Sequence, residues 1–390
     1  MDLDRLAARI ARHLQVLVAE IGARPPGSPA NRRATDHVRR TLAACGLDVR
    51  EQAFEATWWL PGPAGIDVGG DRIDLPPTPF GRPCDAAGAV LRLASDADLA
   101  GATPAPGAVV VIDGPLSAEP YFPKAFPFLD LPEQRTRIAL LEGLHPAAVL
   151  VVVRDTSPYA AFEDGDLAFP YLAVPAAVGD RLVDGDRVRV HVGGSLQRGP
   201  GVNVCAWAGG PGPRTVVSAH VDSKVTGPGA FDNAGGVAAL LALAEAGLPQ
   251  GVPLELVFFN GEDHYAAPGE LAWLAATDLA DVTDVVNVDG AGVAGRASSA
   301  VVLASPAETE ARLAEAVARR PGWVLADPWY QSDHAIFAMR GIPSVAITST
   351  GLDDLLASVA HTERDTLDVV DPRILADVAL FVADWVARPT

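Results

Sequence analysis

Residues able to bind cations or move protons gather in the C-terminal half of the chain, and strand-like apolar runs deliver most of them. "TVVSAHVD" ends in His220 and Asp222, "LELVFFNGED" in Glu262 and Asp263, and "DVVNVDGAG" reaches Asp289. "SVAITST" leads into a loop that carries His361 in "AHTERDT", and Asp232 opens the helix-like stretch "DNAGGVAALLALAEAG". Ligand sites in open α/β sheets collect just beyond the carboxyl ends of strands, so these residues belong together. Imidazole and carboxylate without thiolate suit zinc or a similar first-row divalent ion. The set exceeds what one tetrahedral zinc with an open position needs, which points to two ions sharing a bridging carboxylate.

Each residue alone also has a plain reading. Asp232, followed by Asn233, would serve as a helix cap. Asp289 before Gly290 could open a turn, His220 could be a hydrogen-bonded structural histidine, and His361 with Thr362 could sit in an ordinary loop. Glu262 and Asp263 could be a solvated loop tip. Their convergence on one sheet edge favours the metal reading over these.

The elements that must position them are legible in outline. From Asn203 onward strand-like and helical runs alternate, which predicts an α/β fold: a three-layer αβα sandwich around a mixed, mostly parallel sheet. In the stretch after Asp232, Val237, Leu240, Leu241 and Ala244 fall on one helical face and Gly247 closes the helix. At the N-terminus, Leu6, Ile10, Leu14 and Val18 recur at helical spacing. Ser28 then caps a helix with Pro29 at its first position and Gly46 past its end, and "LDVREQAF" reads as a strand. Between them the chain turns Pro-rich, and short apolar runs such as "GAVVVIDG", "AAVLVVV" and "RVRVHV" are set between turns. This predicts a smaller β-rich insert over 58–195, with the catalytic domain made of 1–57 and 196–390.

Composition removes several classes of function. A formal net charge of −19 over 390 residues, without a basic patch, excludes a nucleic-acid partner. No apolar run is long enough to span a membrane. The amphipathic start, with Asp2 and Asp4, is no signal peptide, so a cytoplasmic location is expected. Cys45, Cys84 and Cys205 are odd in number and far apart, as in a reducing compartment. Oligomeric state is not legible.

Taken in order, "AHVDS", "FDNAGG", "NGED", "NVDGAG", "YQSDHAIF" and "AHTERDT" resemble the co-catalytic zinc exopeptidases, which include bacterial zinc aminopeptidases, plasma glutamate carboxypeptidase, glutamate carboxypeptidase II and glutaminyl cyclase. The resemblance covers residues 203–390, and "RPPGSPANRRATDHVRRTLAACGLDV" matches the family's N-terminal helix and strand. It implies that His220 and Asp289 hold one zinc, that Asp263 and His361 hold the other, and that Asp232 bridges them. It makes Asp222 the partner that orients the His220 imidazole and Glu262 the general base for a water activated between the ions. Asp333 and His334 become supports of the site, and Tyr330, beside Trp329, a candidate oxyanion donor. The implied reaction is removal of the N-terminal residue from a peptide or a related small amide. A carboxypeptidase or dipeptidase, a glutaminyl cyclase-type acyl transferase and a catalytically inactive binding relative are the alternatives.

The chain departs from the family pattern where Asp263 replaces a longer glutamate, where Phe231 replaces an acid, and where "HYAAPGE" replaces a small glycine-containing turn. His264 stays without a role, although Tyr265 and the following turn suggest a cleft wall. The insert is similar to protease-associated domains, which implies that it borders the cleft and supplies no ligand.

Overall fold

The structure is a computed structural model and describes residues 2–119, 121–122, 124, 131–154, 161–162, 167–210, 212–264 and 266–387. In chain order its strands are β1 (Asp48–Val68), β2 (Asp71–Leu75), β3 (Cys84–Leu93), β4 (Val109–Ile112), β5 (Ala148–Val153), β6 (Tyr171–Pro175), β7 (Arg187–Ala208), β8 (Arg214–His220), β9 (Leu254–Phe259), β10 (Val282–Val288), β11 (Ser298–Leu303), β12 (Trp323–Leu325) and β13 (Ser344–Ser349). The helices are α1 (Leu3–Leu14), α2 (Pro29–Ala44), α3 (Asp96–Gly101), α4 (Pro132–Gly143), α5 (Ala176–Gly179), α6 (Gly235–Ala246), α7 (Pro268–Ala276), α8 (Ala307–Ala318), α9 (His334–Ala338), α10 (Leu352–Ser358) and α11 (Pro372–Val386). Two compact units result, one from Met1–Ala56 with Arg198–Thr390 and the other from Thr57–Gln197. β1 and β7 each pass from one unit into the other.

In the first unit the strand order is β12-β11-β13-β10-β8-β9-β7. β13, β10, β8 and β9 run parallel to one another, while the β11–β13 and β9–β7 pairs are antiparallel. Alternate residues serve opposite faces. Val345 and Ile347 of β13 join the large core with α1, α6 and α11, whereas Ala346 packs with Ala338 of α9. Phe258 likewise enters the large core, while the next residue, Phe259, meets Trp273 of α7 and Phe337 of α9. Helices therefore cover both faces, as the alternation of runs predicts.

Ser28 caps α2 as expected, its side chain accepting from the Asn31 amide at 3.1 Å, with Pro29 first in the helix. Two local expectations are corrected. α1 widens over Gln15–Ile21, so Val18 is buried there rather than in regular helix. α6 does not have a single buried face: Gly235 through Ala244 are all buried, because its solvent side is covered by α1, α2 and α11. An all-apolar helix is the one that can be enclosed in this way.

In the second unit β3, β4, β5 and β6 pair in parallel, and β3 also pairs antiparallel with β7. Parallel neighbours need crossovers, and α3 and α4 lie on two of them, so this unit is more helical than a set of strands between turns. Val110, Ile112, Val149 and Val151 face one core with Ile138 and Leu141 of α4, and Val109, Val111, Leu150 and Val152 face another. β1 and β2 form a hairpin closed by Gly69 and Gly70, whose φ of +61° and +90° explain the two glycines.

Candidate metal centre

β8, β9 and β10 are adjacent and parallel, so their carboxyl ends meet at one edge. His220 ends β8, Glu262 and Asp263 follow β9, and Asp289 follows β10. Asp232 stands in the tight turn Ala230–Ala234 before α6, with non-helical φ and ψ of −123° and 88°. It is not the helix cap: that task falls to Asn233, whose Oδ1 accepts from the Gly236 amide at 3.0 Å. Asp232 is thereby left to face the edge. His361 arrives in the loop after α10 with a φ of +61°.

These side chains form two groups that share Asp232. His220, Asp232 and Asp289 bring ligand atoms within 4.8 Å of one another, and Asp232, Asp263 and His361 do the same. His220 Nε2 lies 3.0 Å from Asp232 Oδ1 and 3.3 Å from Asp289 Oδ1. His361 Nε2 lies 3.0 Å from Asp232 Oδ2 and 2.8 Å from Asp263 Oδ1. Glu262 belongs to neither group, yet its Oε2 is 3.7 Å from His220 Nε2. The donor set fits divalent zinc: imidazole nitrogen and carboxylate oxygen, converging on two points with one acid common to both. His220 supports this, because both of its buried ring nitrogens lack a hydrogen-bond partner among the described residues.

The electrostatics have one cause, carboxylates crowded away from water. Burial, with Asp289, Asp263 and Asp333 nearby, pushes Glu262 well above the usual carboxylate range although His220 opposes it. Burial would lower the imidazoles, but Asp289 and Glu262 carry His220 well above its ordinary value, and Asp263 and Asp232 bring His361 up to about 10. Burial works against the charged form of Asp232 too, yet His220 and His361 hold it far below the usual range. The acids thus draw protons onto the two histidines, which positive metal charge would displace.

Asp222 is fully buried, but its Oδ1 stands 3.7 Å from His220 Nδ1, beyond hydrogen-bond reach. Its carboxylate instead accepts from the Gly261 and Asp263 amides at 2.7 and 3.2 Å, so it fixes the loop that carries Glu262 and Asp263. His334 lies beneath β10, its Nε2 donating to the Trp329 carbonyl at 2.8 Å and its Nδ1 facing Asn287 Nδ2 at 3.4 Å, two residues before Asp289. Burial lowers its pKa to about 4, which keeps the ring neutral. Asp333 is fully buried, and its carboxylate finds no donor among the described residues. Burial and then Asp289 push it up to about 7 although His220 opposes the shift. Tyr330 is 40 % exposed, and its backbone amide donates to Gln331 Oε1 at 3.0 Å. His264 is buried with its amide donating to the Gly261 carbonyl, and Tyr265 lies outside the described residues.

Several positioning residues escaped the sequence reading. Asp365 receives the Phe231 and Asp232 amides at 2.6 and 3.0 Å and so sets the backbone of the shared acid. Arg24 is completely buried, and its guanidinium donates to the carbonyls of Val221, Pro228 and Gly229, tying the residue before Asp222 to the segment that leads into Asp232. Asn203 accepts from the Asn260 amide at 3.0 Å and donates to the Gly269 carbonyl at 2.7 Å, holding both ends of the "NGED" loop. Asp365 stands four residues after His361 in "HTERD", and Arg24 opens "RPPGS"; both lie inside motifs already singled out, but nothing local indicates their partners.

Residues 203–386 match the family described as Peptidase family M28. This segment is an M28 peptidase domain. A probable lipoprotein aminopeptidase, LpqL of Mycobacterium tuberculosis, is 26% identical to the chain over 261 residues, which are 63% of this chain and 49% of LpqL. The chain thus spans about half the length of that curated relative. Among solved structures, an aminopeptidase from Aneurinibacillus sp. strain AM-1 aligns over 100% of this chain and 95% of its own at 19% identity and a TM-score of 0.74. BSAP, a zinc aminopeptidase from Bacillus subtilis, aligns over 98% and 93% at 17% identity and a TM-score of 0.74. These likenesses establish the α/β fold around the M28 domain. No described helix is long and apolar enough to cross a membrane.

Proposed function

We propose that the chain is a two-metal aminopeptidase, hydrolysing the N-terminal residue of peptides or a related small amide. The observation that carries this is the arrangement around Asp232: one carboxylate common to two imidazole–carboxylate groups, with Glu262 beside them and in neither. His220 and Asp289 would hold one zinc, Asp263 and His361 the other, and Asp232 both. When bound, the ions would polarise the scissile carbonyl and make a water acidic enough to attack it.

Glu262 takes the proton and returns it to the leaving amine. Its place favours that role, since its side chain is 14 % exposed and free of both ligand groups. Asp222 and Asn203 hold the loop on which it sits. An acid-rich edge favours a substrate end that carries an ammonium over one that carries a carboxylate. Arg24 does not alter that balance, because its donors are spent on backbone carbonyls. The insert is assigned no chemistry in this reading: the two ligand groups come from 220–361 alone.

The test is an assay of aminoacyl anilides beside C-terminal dipeptide amides and N-terminal glutamine peptides, with and without divalent metal. Metal-dependent turnover of the anilides is expected, with collapse in Glu262→Gln while metal stays bound. Full activity of that variant would sink the mechanism, and preference for either other substrate class would move the chain to the corresponding alternative.

A further inference from the structure

Asp263 is the shorter acid in a position where the resemblance implies glutamate, and Lys224 is bound to it from three directions. The Lys224 amide donates to Asp263 Oδ2 at 3.1 Å. Its ammonium donates to the Asp263 carbonyl at 2.7 Å and stands 3.7 Å from Oδ1, the oxygen that meets His361 Nε2 at 2.8 Å. Both side chains are withdrawn from water, at 14 % and 2 % exposure. One oxygen of Asp263 is therefore committed to the backbone, and the other is left for a cation with a fixed positive charge beside it. Charges this shielded are poorly screened, so the ammonium opposes any cation placed between Asp263 and His361.

We propose that Lys224 is a positioning residue with a selective electrostatic effect: it ties the backbone of the short acid into the site and weakens ion binding at the Asp263–His361 end relative to the His220–Asp289 end. This rests on the two-ion reading above. The proposal makes the Asp263–His361 ion the exchangeable one, for a reason that belongs to this chain's own lysine.

Calorimetric titration of the metal-stripped protein with zinc tests it, using wild type, Lys224→Met and Lys224→Arg, with Asp263→Ala to mark which step belongs to that end. Methionine keeps the length of the stem and removes the charge, and circular dichroism reports whether each variant is folded. The expected result is a step at the Asp263–His361 end that tightens about tenfold or more in Lys224→Met, with the other step unchanged and Lys224→Arg close to wild type. A lysine that only braces the loop gives the opposite sign, because its loss loosens that step. Loosening, or no change in a folded Met variant, overturns the proposal. Wild-type stoichiometry reports separately on the underlying reading: two ions without a Lys224 effect remove this proposal alone, whereas a single ion removes both.

Discussion

Asp113 in the second unit and Asp289 in the first occupy equivalent places, each the residue after a parallel strand, and their surroundings are opposite. Asp113 is 5 % exposed and saturated with cations: Arg154 donates to it twice, at 2.9 and 2.6 Å, and Arg92 and the Gly114 amide donate as well. Those bonds, the Arg154 pair above all, hold its carboxyl below the usual range even though burial pushes the other way. Among the described residues, the ion pairs of Asp289, Asp232 and Glu262 are all with histidine. In one unit the fold supplies the compensating charge; in the other it concentrates acid and leaves compensation to protons or to a bound cation. Unbalanced charge of this kind costs stability and marks a functional site.

Turnover should respond most to a change at the acid-rich edge. Glu262→Gln should lower it about a thousandfold with both ions retained, read by metal analysis of the same sample. Next in size is metal affinity. Asp232→Ala should weaken both ions and Asp263→Ala only one, whereas Asp113→Asn should leave metal content and turnover unchanged.

The pH dependence follows from His361. Burial would lower its pKa, but Asp263 and Asp232 raise it from 6.5 to about 10. A ligating imidazole is neutral, so a metal competes there with a proton. Apparent zinc affinity should then keep rising with pH up to about 10, instead of levelling above 6.5. Proton release measured in buffers of different ionisation enthalpy checks this. The same shift makes the charged imidazole a stabilising group below pH 6.5, and that contribution is lost as pH rises towards about 10.

The smallest effects are on stability, and they differ in sign. Asp113→Asn should cost about 1–3 kcal/mol, discounted because Arg154 is partly exposed. Glu270→Gln should gain about 1 kcal/mol. Glu270 and Asp333 are buried acids without a donor from the described residues; burial first and then Asp333 raise the Glu270 pKa, so folding at neutral pH must take up a proton there, a cost that the neutral glutamine removes. Thermal unfolding with matched metal content reads both.

The strand ends and the polar residues they deliver were legible because local signals encode them: an apolar run, then a polar residue. The layered fold followed from the alternation of runs. What escaped was set by partners distant in sequence. Arg24 meets carbonyls some 200 positions away, and its burial could not be read from "ARPPGS". Asp222 was expected on the His220 ring, but the amides of Gly261 and Asp263 claim its oxygens. The shorter acid Asp263 was identified from sequence, yet its lysine partner was not, since the contact joins two loops.

If the acids of this sheet edge form two metal sites sharing Asp232, the chain must take up two ions and lose one with Asp263. Native mass spectrometry of the metal-stripped chain titrated with zinc tests it most directly. Two zinc ions per wild-type chain and one per Asp263→Ala chain are predicted; a single ion in the wild type, or two held undiminished by Asp263→Ala, would contradict it.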